Sequence, residues 1–364
     1  MRLEDEFVDV MPIVSSHPTT TTTTTTRGGD GDGGSDGDGP RERDDDIDDD
    51  SNGKRWMWHG GAVAESSLPS SSGPAAVAAM YCPPSNADRV LKVRLDGGGG
   101  VETIGPDLSW SGGRNKWYGG ILGADGCVYA PPYAATGVLR IDPRTDAVDV
   151  LGNFPSGGYK WHGGMLAKST GVIYAFPSHA NEVLCIDTNP ADGPVVGVGD
   201  ESWRVSTIPI RRHEGDADAP DLRYKWLGGS HGADGCIYGM PSDATSILRI
   251  DPIKNEATTF GTVPNSINKW QGGVLSSVDK CFYAVPANMD CVLRVNTNLG
   301  DDGNDASSPS YLRIEYVGKG CFPDIDDKWQ GGFVGRDGRI YAIPENSESV
   351  MMITPGDVPS VELL

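Results

Sequence analysis

Three side-chain types recur at one register of this 364-residue chain where chemistry is conceivable. The residue following a repeated tryptophan reads His59, Tyr118, His162, Leu227, Gln271 and Gln330. Imidazoles, a phenol and amides gathered at one place would make a rim able to bind a small polar ligand. His231 and His179 are further candidates, the first standing where the equivalent segments carry an aliphatic residue. Scattered histidines without carboxylates of matching geometry do not make a metal site, so no metal ligand and no cofactor is assigned. Nucleophile elbows, phosphate-binding glycine loops and paired-histidine zinc motifs are all lacking from the sequence.

Those six positions belong to a pattern that organises everything after residue 55. The tryptophans are Trp58, Trp117, Trp161, Trp226, Trp270 and Trp329, each followed at +2 and +3 by Gly-Gly. A tyrosine comes later (Tyr81, Tyr129, Tyr174, Tyr238, Tyr283, Tyr341), then a proline three residues on, and an aliphatic residue six after that. A lysine precedes the tryptophan in five of the repeats, and Met57 takes its place in the first. Repetition at this period is the mark of stacked or radially arranged units. Each unit contains four short runs with strand composition separated by turn residues. In the second they are Tyr118 to Leu122, Cys127 to Ala130, Val138 to Asp142 and Ala147 to Leu151. The expectation is an all-β, six-bladed β-propeller of four-stranded antiparallel blades, residues 56–364 forming a single domain.

Residues that recur in every unit read as structural. Gly-Gly relieves crowding where innermost strands approach one another. Tryptophan supplies a broad apolar wedge, and the lysine stem is expected to cover the indole while its ammonium reaches water or a carboxylate. The tryptophan spacings of 59, 44, 65, 44 and 59 residues alternate short units with longer ones, as three copies of a two-blade unit would. The segments 189–202, 213–224 and 297–310, rich in Gly, Asp, Pro and Ser, are the expected partner surface.

Composition narrows the remaining classes. Residues 1–55 hold 15 acids against 6 bases, a net −9 that leaves −12 of the total −21 for the repeats. An acidic chain without a basic patch repels phosphate backbones, so nucleic acid is not expected as a partner. No stretch reaches the length of a membrane span and the first residues lack signal-peptide layout, giving cytoplasmic residence and a monomer as defaults. Seven cysteines, an odd number, are read as free thiols. Between His17 and Arg55 runs of Thr, Gly and Asp read as a low-complexity disordered segment. Phe7 to Met11 nevertheless has an outer-strand pattern, and is expected to pair on the last blade and close the ring, beside the candidate strand Val361 to Leu364.

The formula K-W-x-G-G, D-G-x-x-Y-x-x-P and L-x-I-D-P resembles a group of uncharacterised KWxGG-repeat β-propeller proteins. It is similar more loosely to kelch-like, virginiamycin-B-lyase-like and gluconolactonase-like propellers. Kelch repeats place Gly-Gly after the tyrosine strand, whereas here it comes before. The resemblance implies a propeller fold. Two functions follow as expectations: a non-catalytic binding scaffold for a protein or small polar ligand, or a metal-dependent hydrolase or lyase working at the channel mouth.

Overall fold

The computed structural model describes residues 56–66, 77–190, 204–213, 222–297 and 313–364. The segments proposed above as partner surface lie largely outside these residues, and the proposed closing strand at 7–11 lies wholly outside them. Among the described residues there is no α-helix, and hence none long and apolar enough to cross a membrane.

Within the described residues twenty-four strands follow one another in six sets of four. The first set is β1 (Ala62–Ser66), β2 (Val77–Cys82), β3 (Val90–Arg94) and β4 (Val101–Ile104). The second is β5 (Ile121–Leu122), β6 (Val128–Ala130), β7 (Val138–Asp142) and β8 (Ala147–Leu151). The third is β9 (Trp161–Ala167), β10 (Val172–Pro177), β11 (Glu182–Asp187) and β12 (Val205–Arg211). The fourth is β13 (Trp226–His231), β14 (Ile237–Pro241), β15 (Ile247–Asp251) and β16 (Glu256–Phe260). The fifth is β17 (Trp270–Leu275), β18 (Cys281–Pro286), β19 (Val292–Asn296) and β20 (Arg313–Val317). The sixth is β21 (Trp329–Val334), β22 (Ile340–Pro344), β23 (Met351–Thr354) and β24 (Ser360–Leu363).

Each set is an antiparallel meander. Four meanders stand as separate four-stranded sheets, while the third and fourth fuse into one eight-stranded sheet through a parallel pairing of β12 with β16. The all-β expectation and the four-stranded antiparallel unit are therefore observed, with one fusion that the repeat pattern gave no sign of. In the second meander the inner strand is shorter than the sequence pattern, beginning at Ile121. Ser360 to Leu363 does form an outer strand.

The repeated residues do structural work at equivalent places. In every unit the indole Nε1 donates to the carbonyl five residues beyond the proline, at 2.7–2.9 Å, as Trp117 does to Gly137 and Trp226 to Ser246. This ties the start of the inner strand to the start of the third. The lysine is withdrawn from water. It is buried and donates to the carbonyl three residues earlier, Lys225 to Leu222 at 2.9 Å and Lys269 to Ser266 at 2.7 Å, so it closes its own loop. A buried ammonium must find acceptors, and the loop carbonyls are the nearest ones.

The first glycine of each pair has φ between +64° and +84°, and bulges interrupt the inner-strand register there in the third to sixth units. A Cβ on Gly60 would sit 2.9 Å from the Gly119 Cα, and one on Gly272 3.0 Å from the Gly331 Cα. Inner strands thus meet backbone to backbone. Five apolar clusters bridge successive meanders, from first with second through to fifth with sixth. All seven cysteines are free thiols, six of them buried.

Candidate functional site

The residue two before each tryptophan has left-handed backbone in all six units, with φ between +39° and +57°: Trp56, Asn115, Tyr159, Tyr224, Asn268 and Asp327. Asparagine and aspartate accept this conformation readily, whereas Trp and Tyr in it are strained by roughly 1–3 kcal/mol. The turn also turns these side chains toward the residues after the tryptophans, so two sixfold registers converge. Backbone hydrogen bonds fix the convergence: Lys116 N–H donates to Ser85 O, Lys160 to Tyr133 O, Lys225 to Ser178 O, Lys269 to Ser242 O and Lys328 to Ala287 O, each hooking one unit to its predecessor.

Within this frame the proposed rim residues fall into two groups. His59 stacks on Tyr118 with ring centroids 4.1 Å apart, Tyr118 on Tyr133 at 4.3 Å, and Tyr133 on Tyr159 at 4.5 Å, with interplanar angles of 12° or less. His162 meets Tyr118 and Tyr133 edge-on at 5.3 and 5.5 Å, and His179 packs between Tyr159 and Tyr224. This aromatic side spans the first to fourth units. On the other side Gln330 donates to Gln271 at 2.9 Å, Gln271 to Asn268 at 2.6 Å, and Asn268 to the Asp327 carboxylate. Leu227 is buried and brings no polar atom, while His231 is half-buried at the end of β13.

Sequence reasoning proposed all six residues as one rim, of which the structure gathers His59, Tyr118 and His162 into one cluster and Gln271 and Gln330 into another. It missed Tyr133, Tyr159, Asn115 and Asn268. The left-handed position was legible in principle, since half its occupants are Asn or Asp, the residues that most readily take positive φ. Further caps continue the polar side, where backbone N–H groups of Asn115, Asn268 and Asp327 donate to the side chains of Asn86, Asp243 and Asn288 in the preceding units.

Burial among the rings, reinforced by neighbouring His59, pushes the His162 imidazole down to about 3. His162 is thus neutral at physiological pH, and its Nδ1 is buried without a hydrogen-bond partner. Burial alone lowers the Lys160 ammonium to about 8, beneath the aromatic side, where its partners are the Pro155 and Gly157 carbonyls. A divalent metal is a poor fit to these donors. The imidazoles are packed against phenol rings, the Asp327 carboxylate is engaged by Asn268, and among the described residues no three His, Cys, Asp or Glu side chains converge.

No protein-family model and no curated protein sequence matches the chain. Solved structures do resemble it. A catalytically inactive virginiamycin B lyase from Staphylococcus aureus, with quinupristin, is 14% identical over 83% of this chain and 84% of that one, with a TM-score of 0.54. A streptogramin B lyase is 13% identical over 85% and 88%, with a TM-score of 0.51. A candidate 6-phosphogluconolactonase from Bacteroides uniformis is 11% identical over 81% and 82%, with a TM-score of 0.50. At such identities the likeness is one of fold: this chain has propeller-type architecture.

Proposed function

We propose that the six meanders are the blades of a six-bladed propeller serving as a non-catalytic binding scaffold, with the divided rim as its binding face. The ligand is a small polar molecule. One observation carries this reading: the rim is split into a wall of stacked rings and an arc of hydrogen-bonded amides. Apolar walls with a few oriented polar groups are what ligand sites need. The five lysines beside the rim are withdrawn onto carbonyls, which with the acidic composition disfavours an anionic ligand.

The experiment is calorimetric titration and thermal-shift measurement with a panel of neutral polyols, N-heterocycles, lactones and esters. A binder should raise the melting temperature of the native chain, lose at least tenfold in affinity in both Tyr118→Ala and Gln271→Ala, and be recovered unaltered. Turnover of a lactone or ester that vanishes in His162→Ala would replace the scaffold reading by the hydrolase or lyase one.

A further inference from the structure

The six units are not equally covered. In the second to sixth, the repeat tryptophan is buried against the preceding unit, but Trp58 of the first is only half-buried. In the first to fifth, the repeat tyrosine is at most 1% exposed, covered by the unit that follows, but Tyr341 of the sixth is half-buried. The same asymmetry marks the inner strands. Val63 on β1 is 50% exposed and Phe333 on β21 38% exposed, whereas the equivalents of Val63 in the second to fifth units and of Phe333 in the first to fifth are buried or half-buried.

A clasp is missing at the same junction. Ala124 N–H donates to Thr188 of the third unit at 2.8 Å, and Ala233 N–H to Thr297 of the fifth at 2.9 Å, each an even unit reaching forward to an odd one. The backbone N–H of Thr188 bonds Gly171 O just as that of Leu95 bonds Ala78 O, so Leu95 is the first unit's counterpart. It has no hydroxyl and is itself 50% exposed. Leu95 therefore offers the sixth unit no hydroxyl at that position. In the closed ring proposed above, on which this inference rests, the sixth and first units are neighbours and Phe333, Tyr341, Trp58, Val63 and Leu95 face their seam as an apolar strip.

We propose that this strip is the docking surface for residues 7–14 of the same chain. These residues lie outside the described part of the structure, and two facts favour them over other occupants. The described chain begins at Trp56, two residues before Trp58, so the preceding segment is delivered to that side of the first unit. That segment carries one concentrated apolar run, Phe7, Val8, Val10, Met11, Ile13 and Val14, followed by stretches of Thr, Gly and Asp. The 41 intervening residues would reach about 130 Å when extended, so length does not limit the contact. An apolar strip of this kind, left bare, would otherwise invite association.

Hydrogen exchange of the full chain against a form lacking residues 1–15 is the test. Peptides covering 58–66 and 329–344 should exchange at least tenfold faster in the shortened form, with 247–260 unchanged and both forms monomeric by light scattering. Equal exchange overturns the proposal, as does a loss of protection confined to 360–363, which would put the segment on the free edge of β24. Protection that rises with concentration alongside dimer formation would assign the strip to a second copy and also overturn it. Should the shortened form fail to fold, the full chain carrying Val10→Cys and Phe333→Cys decides: mild oxidation should give an intramolecular disulfide, found by mass spectrometry, and its absence counts against docking.

Discussion

At the scale of single residues, what recurs was legible and what differs was not. The tryptophan, the paired glycines and the tyrosine were visible because each answers a local demand made six times. Tyr133 and Tyr159 were hidden because their importance lies in stacking with residues of other units, which spacing along the chain does not encode. The lysine was misassigned for a related reason: its acceptors are main-chain carbonyls, and these leave no trace in residue type. The glycine demand can be measured. Gly272→Ala combines a disfavoured φ with a Cβ 3.0 Å from the Gly331 Cα, and should cost about 3 kcal/mol or more in urea unfolding. Gly113→Ala also has positive φ but meets no atom within 4 Å, and should cost only about 1 kcal/mol. His162 gives a pH signature. Its folded pKa, about 3, lies below the unfolded value of 6.5, so its contribution is complete above pH 6.5 and is lost as pH falls through the window between them. In that window the native chain should lose up to about 1.4 kcal/mol per pH unit more than His162→Gln, measured by parallel unfolding curves.

At the scale of elements, the alternation of short and long repeats acquires a physical counterpart. Odd units lock the outer hairpin of the even unit that follows. The Tyr81 hydroxyl donates to Asp146 at 3.2 Å and the Tyr174 hydroxyl to Asn255 at 3.0 Å. In the fifth unit the Asp279 carboxylate accepts the Gly356 N–H while Arg294 donates to the Gly356 carbonyl. Even units return the grip through the threonines. Thr188→Val and Thr297→Val leave a backbone N–H without its acceptor at constant side-chain shape. Each should lower stability by about 1–3 kcal/mol, read from denaturant midpoints, with the far-ultraviolet spectrum unchanged. The threefold doubling was readable from the spacings, but the parallel join of β12 and β16 was not, because it depends on where an insertion returns to the sheet.

For the molecule as a whole, cohesion should be uneven around the axis. The third and fourth units share one continuous sheet, supported by the Arg211–Glu256 ion pair at its join, while in the proposed ring the sixth and first units have no such join among the described residues. Native-state hydrogen exchange in rising denaturant should therefore open β1 and β21 to β22 first, and β10, β11, β14 and β15 last. Simultaneous exchange of all six units would show instead that the ring unfolds as one cooperative body.

The contact of inner strands through their glycines has a geometric consequence. Where Gly60 faces Gly119 and Gly272 faces Gly331, no side chain stands between neighbours to be enlarged or trimmed. The bore of the proposed ring is therefore quantised: point substitutions would redecorate its mouth, but a wider opening for a bulkier guest would be reached by duplicating a whole unit, and a two-unit module already built to grip itself is the natural increment.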